Sequence, residues 1–342
     1  MRIHPWLRTA LAGWAGWVTL ASAATVAEPP ATTPESGRQG ALVLQFDDGW
    51  TSWVTDIAPE LQRVGGCATG FVTWQYVESG RIGLPNLLQL QNEYGWEIGT
   101  HAATHASARK WAVKHGVDSW IAEQLVAPLQ RLKDAGLDAR SLAFPFNDYT
   151  PELARAAREH VESFRRPSTL ALAARPSADG AFPGTAIDLN RYVPVSLLKE
   201  WVDMAHQQNR MLLLYGHRVL PDESFFNARV VAVRDDELEL DRPVVLPKNE
   251  DLVLVPDIAR RLNGDSLRGF TAEGNKLRLP GAGFTRLAAP GSRCRIGAAY
   301  GLARSDFVAL LDYAAPRLHF LRMREAVAQS SASMATADKM TD

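Results

Sequence analysis

Two short segments of the sequence carry side chains whose types and spacing suit metal chemistry. The segment EIGTHAATHA places His101 and His105 four residues apart, and ALVLQFDDGW ends an apolar run in Asp47 and Asp48. Residues at i and i+4 of a helical turn point the same way, so two imidazoles could grip one ion. A carboxylate is a natural third ligand, and three protein ligands leave a coordination position open, as a catalytic zinc site requires.

The two adjacent aspartates could divide the chemistry between them. Neighbouring residues of an extended chain point to opposite sides, so one carboxylate could bind the ion while the other takes a proton from a nearby water. Standing alone, the DDG segment would be an ordinary solvated turn, and the histidine pair would decorate a loop. The metal interpretation therefore requires that both segments reach one place in the fold.

The order of elements predicts that they do. From Ala41 onward, near-continuous apolar runs alternate with amphipathic segments. This pattern predicts an α/β fold with a parallel sheet and outer helices, and the number of units favours an irregular (β/α) barrel. Loops at the carboxyl ends of barrel strands share one rim, where active sites are built. The polar or unusual residues that follow predicted strands on this rim are Asp47, Asp48, His101, His105, Pro145, Phe146, Asn147 and His217.

The ends of the chain differ in composition from this repeating part. A basic start, a short apolar stretch and a closing ASA are typical of a secretory signal peptide, although an uncleaved anchor helix is the alternative. We expect an exported protein, periplasmic or secreted, with no stable membrane span after cleavage. The predicted organisation is a signal peptide at 1–23, a disordered linker at 24–40, a barrel at 41–223, an all-β insertion at 224–297, the end of the barrel at 298–328 and a disordered tail at 329–342.

The charge of the chain argues against a nucleic-acid-binding protein, and its two cysteines raise the question of a disulfide. The net charge is −1 and no block of Lys or Arg occurs, so no nucleic-acid partner is expected. Cys67 and Cys294 could pair in an exported protein, but GCATGFVTW has the character of a buried strand, where a free cysteine is also at home. We expect no disulfide.

Four motifs together resemble a known family. FDDG followed by THAATH, with LAFPF and LLLYGHRV further along, is similar to the NodB-type polysaccharide deacetylases, carbohydrate esterase family 4. The resemblance runs from Ala41 to about Val219 and resumes from Tyr300 to Val327. It implies a hydrolase acting on linear amides, which removes N-acetyl groups from an amino-sugar polymer. The alternatives are cleavage of acetyl esters, as on xylan, and a catalytically silent carbohydrate-binding protein on the same fold.

The resemblance also implies roles for individual residues. Asp47 would be the general base and His217 the general acid. Asp48, His101 and His105 would hold one divalent ion, Zn²⁺ in the first place, with Co²⁺ or Ni²⁺ acceptable because nitrogen and oxygen ligands discriminate weakly among these ions.

The third and last motifs imply the acetyl-binding residues, with one departure from the family pattern. The backbone N–H of Phe146, after Pro145, would stabilise the oxyanion, and Leu213 would help line the acetyl pocket. The family usually has an arginine two residues before the proline, hydrogen-bonded to the base, but this sequence has Ala143 there. Arg166 and Arg191 are the candidate replacements, and each could equally be an ordinary surface arginine.

The insertion begins just after His217, on the predicted catalytic rim. Alternating apolar and polar residues in ARVVAV and ELELDR predict a small sheet with one solvated face. We expect it either to seat a glycan chain beside the active site or to serve only packing or oligomerisation. The candidate exposed aromatic residues are Phe225, Phe226, Phe270 and Phe284.

Overall fold

The computed structural model describes residues 37–165, 181–182, 187–188, 193–247, 251–258 and 267–329. The predicted signal peptide, most of the linker and nearly all of the predicted tail lie outside these residues, as do Arg166 and Arg191.

A parallel sheet of nine strands forms the centre of the protein. Its strands are β1 (Ala41–Asp48), β2 (Thr69–Val72), β3 (Glu97–Thr100), β4 (Ser141–Ala143), β5 (Ser163–Arg165), β6 (Ala181–Phe182), β7 (Ile187–Asp188), β8 (Met211–Gly216) and β17 (His319–Phe320). The order is β6-β5-β4-β3-β2-β1-β8-β7, and β17 pairs with the start of β1 on the edge that β2 uses further along. Because every pair is parallel, all carboxyl ends lie at one rim.

Helices cover the outside of this sheet. They are α1 (Ala58–Arg63), α2 (Trp74–Glu78), α3 (Leu84–Asn92), α4 (Ala108–His115), α5 (Val117–Ser119), α6 (Ala127–Asp134), α7 (Pro151–Ala157), α8 (Val195–Gln207), α10 (Arg304–Ala314) and a last helix at 323–329, with a short α9 (Phe284–Leu287) in the insertion. Two π-helical segments, Trp53–Ile57 and Trp120–Val126, lead into α1 and α6.

The two faces of the sheet carry different side chains. On β1, Leu42, Leu44 and Phe46 join the large core under the helices, whereas Val43 belongs to a smaller inner cluster. That inner cluster also includes residues of β4 and β8, which are not neighbours in the sheet, so the sheet is curled. The predicted fold class is confirmed as a curled, open parallel barrel, because in the described residues β6 and β7 remain edges.

The insertion forms a second sheet of six antiparallel strands. These are β10 (Phe225–Val233), β11 (Glu237–Leu240), β12 (Leu252–Val255), β13 (Thr271–Glu273), β14 (Lys276–Arg278) and β15 (Arg293–Ala298). β9 (Arg218–Leu220) precedes the insertion and β16 (Gly301–Ala303) follows it, and these two strands pair in parallel. The expectation of exposed aromatic residues is wrong, because Phe225 and Phe284 are buried and Phe226 and Phe270 pack against the insertion core.

Both cysteines are free, as expected. Cys294 is buried in the insertion, and Cys67 lies in the barrel, where burial raises its pKa to about 12. Within the described part of the chain, none of the helices has the length and apolar character that crossing a bilayer requires.

Candidate active site

The end of β1 holds Asp47 in a buried ion pair with Arg165. Nη1 and Nη2 of Arg165 donate to the two carboxylate oxygens of Asp47 at 2.8 and 2.6 Å, and both side chains are almost fully buried. Burial alone raises the pKa of Asp47, but the charge and the hydrogen bonds of Arg165 outweigh it, and the pKa is lowered to about 2. Asp47 is therefore ionised at any physiological pH.

Arg165 occupies the place for which Arg166 and Arg191 were the sequence candidates. Its Nε donates to Asn147 Oδ1 at 3.1 Å, and its guanidinium lies 4.2 Å from the ring centroid of Tyr215. The alternation of side chains along β5 could have predicted that Arg165 reaches the site. Phe164 points to the outer core, so Arg165 must point to the inner face, at the carboxyl end of its strand.

Asp48 follows Asp47 with an unusual backbone. Its φ is +81°, a region that non-glycine residues adopt only under constraint from the fold. Gly49 follows with φ +98°, and a Cβ there would lie 2.8 Å from a methyl carbon of Val72. The turn directs the two neighbouring carboxylates to different partners, since Asp48 Oδ1 lies 3.4 Å from His105 Nε2 while Asp47 faces Arg165.

The tautomer of His101 follows from its hydrogen bond. Nδ1 lies 2.7 Å from the carbonyl oxygen of Ala143, which can only accept, so Nδ1 carries the proton. Burial lowers the pKa of His101 to about 4, although Asp47 and Asp48 act to raise it. The ring is therefore neutral at pH 7, and the lone pair of Nε2 is available on the side of Asp48, 3.8 Å away.

The expectation that His101 and His105 share a helical turn is wrong. The segment between them is an irregular loop in which Ala102 has φ +68°, yet the two ring centroids are only 5.1 Å apart. The buried Gln124 holds this loop, because its carbonyl accepts from Ala103 N and its side-chain oxygen from Thr104 N and Oγ1. Gln124 lies in the second π-helical segment, a conformation often found at functional sites.

Asp48, His101 and His105 are suited to hold a metal ion. Their candidate ligand atoms all lie within 4.8 Å of one another. Asp48 Oδ1 and His101 Nε2 are buried and make no hydrogen bond with the described residues, an arrangement that is unfavourable without a further partner. The structure thus fits an Asp–His–His metal site, and nothing in this donor set selects one transition metal over another.

A cavity of about 620 Å³ opens over this cluster. Its wall includes Phe146, Asn147, Tyr215 and His217 from the ends of β4 and β8. Phe146 has φ +59°, is 64% exposed and packs edge-on against His105, with the ring centroids 4.4 Å apart. The side chain of Phe146 therefore forms an apolar wall beside the metal cluster.

Pro145 and Leu213 do not line this cavity. Pro145 is buried behind Phe146, and Leu213 belongs to the inner cluster below the site. Tyr215 lies on the same strand face two residues further along β8 and takes the lining position predicted for Leu213.

One residue of the insertion and two residues of the turn that follows it contribute to the cavity wall. Asp251, Ala299 and Tyr300 line it, and the Tyr300 ring centroid lies 5.1 Å from that of His217. Tyr300 has φ +60° and is 49% exposed, at the turn where the chain leaves β15 for β16. The main-chain carbonyl of His217 accepts from the buried Trp53 Nε1 at 2.8 Å, so both neighbours restrict the position of this histidine.

Comparison with known proteins identifies the family of this part of the chain. Residues 35–161 match the sequence profile of the polysaccharide deacetylase family. This segment, which is less than half of the chain, is therefore similar to the polysaccharide deacetylase family. The match confirms the predicted family and enzyme class, and it covers the Asp47–Asp48 pair, both loop histidines and Phe146, but not Arg165 or His217. No curated protein matches the sequence.

Solved structures that resemble part of this chain include an esterase, a deacetylase and a pseudoenzyme. A family 4 carbohydrate esterase from Streptomyces lividans is 16% identical (TM-score 0.37, 52% of this chain and 79% of that chain). A peptidoglycan deacetylase from Bacillus subtilis is 20% identical (TM-score 0.35, 53% and 76%). A pseudoenzyme of the same esterase family from Bacillus anthracis is 15% identical (TM-score 0.33, 52% and 55%). These TM-scores are low, and the family assignment rests on the sequence match.

Proposed function

We propose that this polysaccharide deacetylase domain belongs to an exported, metal-dependent hydrolase that removes N-acetyl groups from an amino-sugar polymer. The observation that carries the proposal is the convergence of an ionised carboxylate, an Asp–His–His cluster and a further histidine on one cavity. Export is proposed from the sequence of residues 1–23, and a polymer outside the cytoplasm is the matching substrate.

The residues around the cavity divide the reaction as follows. Asp47 accepts the proton of the attacking water at a carboxylate oxygen, and Arg165 keeps that carboxylate ionised and fixed in place. His217 gives a proton to the leaving nitrogen, and the backbone N–H of Phe146 donates to the oxygen that gains negative charge.

A cation is needed because a carboxylate whose pKa is about 2 is a weak base. A divalent ion held by Asp48, His101 and His105 would polarise the acetyl carbonyl and bring the pKa of a water to about 7, and we propose Zn²⁺ for this position.

Acetate release with and without a chelator tests the proposal. The panel contains N-acetylated glycans, O-acetylated glycans such as acetyl xylan, and a small neutral acetyl ester. We expect release from an N-acetylated glycan that stops on chelation and returns with Zn²⁺. A protein that binds glycan and metal but releases no acetate from any member would instead be a binding protein.

The metal ligands are tested without reference to turnover. His101→Ala should lose most of its bound ion, because it removes one of three clustered ligands. Elemental analysis of purified protein measures the content, with one ion per chain expected for the wild type. His115→Ala is the matched control, since His115 is exposed, lies against Trp111 and does not line the cavity. Full occupancy in the His101 variant would remove this residue from the ligand set.

The insertion is tested by replacing residues 224–297 with a short Gly/Ser linker. Phe225 and Gly297 are paired neighbours, so a short linker can join the ends. We propose that the insertion seats the glycan chain, because Asp251 lines the cavity. Activity on polymer should therefore fall while activity on the small ester remains. Tyr300→Ala, which keeps the sheet, should lower polymer activity in the same direction. Equal activity on both substrates in a folded deletion variant would contradict a binding role.

A further inference from the structure

The cavity mouth carries two arginines that the proposed catalysis does not use. Arg81 and Arg218 both lie over the indole of Trp50, with their guanidinium carbons 4.3 and 4.6 Å from its ring centroid. Arg81 also lies over Tyr76, 3.5 Å from that ring centroid. All four side chains line the cavity. Stacking of this kind uses the flat faces of a guanidinium and leaves the N–H groups at its edge for other partners.

The side chain of Arg81 has no hydrogen-bond partner in the described part of the chain. Its nearest acidic atom is Asp48 Oδ2, 3.9 Å from Nη1 and beyond hydrogen-bond distance. Arg218 is anchored differently, since its Nη2 donates to the carbonyl oxygen of Ala299 at 3.0 Å. Arg81 is thus a fixed, partly exposed cation beside the metal cluster, with its hydrogen-bonding capacity unused.

The other acidic side chains of the cavity wall do not occupy the N–H groups of Arg81. Asp47 is paired with Arg165, and Asp251 is paired with Arg268, which lies outside the wall. Asp48 faces Arg81, but its Oδ2 remains 3.9 Å from Nη1. A guanidinium in this setting favours a substrate that offers it an oxyanion, because its N–H groups lose hydrogen bonds to water when a group that cannot accept them is bound.

We infer that Arg81 and Arg218 recognise a carboxylate or phosphate on the sugar chain next to the acetyl group, so that the substrate is an anionic acetylated glycan. This inference rests on the proposed function and narrows its substrate class. The guanidinium fork matches the oxygens of either group. Because Arg81 lies beside Asp48, the anionic group belongs to the acetylated sugar or to its immediate neighbour.

Matched oligosaccharides test the inference by kinetics. The carboxylate probe alternates N-acetylglucosamine with glucuronate, and its control is the same oligosaccharide with methyl-esterified carboxylates. The phosphate probe is an N-acetylglucosamine oligosaccharide with a phosphomonoester, compared with its unphosphorylated form. We expect kcat/KM to be about tenfold or more higher for at least one anionic probe than for its neutral control, since hydrogen bonds to charged groups are strong. The preference should shrink as salt is raised.

Single substitutions test which arginine causes the preference for the anionic probe. Arg81→Gln and Arg218→Gln should each reduce the ratio of kcat/KM on the anionic probe to that on its neutral control, and Arg81→Lys should retain part of it. Arg131→Gln is the matched control and should leave the ratio unchanged. Arg131 likewise lies over an indole, that of Trp74 at 5.4 Å, and pairs with an acidic side chain, but it does not line the cavity.

A binding measurement separates this inference from the proposed function. Calorimetric titration of the chelated full chain with the same probes needs no turnover, and it should show tighter binding of an anionic probe than of its neutral control. Acetate release from no substrate would overturn the proposed function while the titration still decides the inference. Equal affinity and equal kcat/KM for charged and neutral probes in the wild type would overturn the inference alone.

Discussion

Replacing Asp47 with asparagine should lower the rate of acetate release by about 10²–10⁴-fold, the usual contribution of a general base, while the metal content stays at the wild-type level. Asn keeps the shape of the side chain but cannot take the proton. Asp48→Asn should instead release the ion, because Asp48 contributes the carboxylate of the Asp–His–His cluster. Initial rates and elemental analysis on the same preparations distinguish the two effects.

The exposed Asp134 supplies the control for this pair, since Asp134→Asn changes a carboxylate far from the cavity wall. It should leave both rate and metal content unchanged. Near-normal turnover in both Asp47→Asn and Asp48→Asn would show that the two carboxylates do not have the roles proposed for them.

Replacing Arg165 with methionine should change both the pH profile and the stability. Burial then acts on Asp47 without its main opposing charge, so the pKa of Asp47 rises from about 2. Because the base works as the carboxylate, the acid limb of kcat/KM should move to higher pH. Breaking one side of a buried pair should also destabilise the fold by about 3–5 kcal/mol. Rates across pH and thermal unfolding measure the two effects.

The size of the destabilisation caused by Arg165→Met should depend on pH. The pKa of Asp47 is lowered in the folded protein from 3.8 to about 2, so its stabilising contribution is complete above 3.8 and is lost as the pH falls towards 2. The destabilisation by Arg165→Met should therefore be largest near neutral pH. Arg140→Met, which removes an exposed arginine with two acidic partners, should leave the acid limb in place. An unshifted acid limb in Arg165→Met would mean that Asp47 does not set it.

Parts of this site follow from strand geometry and could be predicted. Asp47, Asp48 and His217 come at the ends of clear apolar strands, and parallel order places such ends at one rim. The choice of Arg166 over Arg165 neglected the two-residue alternation within SFRR. Leu213 and Tyr215 lie on the same face of β8, so the predicted face was correct. The predicted position along the strand was wrong, since each step of two residues advances about 6.6 Å.

Other parts depend on contacts that no local pattern contains. The i, i+4 spacing of the histidines favoured a helical turn, but the loop is shaped by Gln124 from a distant helical segment. Ala102 and Asp48 adopt left-handed backbone conformations that their own preferences disfavour, so only the surrounding fold determines them. In the insertion, Phe225 and Phe284 are core residues because a small sheet needs large side chains to bury.

The parallel pairing of β9 with β16 fixes the two points where the chain leaves and re-enters the barrel. Arg218 pairs with Gly301, so the six-stranded sheet is attached at two adjacent points beside His217, the proposed general acid. Because both attachment points are adjacent, the sheet could be exchanged without moving the strands of the barrel. A differently shaped segment with the same two end points could be grafted there, which would exchange one wall of the substrate cleft while Asp47, the metal ligands and His217 keep their positions on other strands.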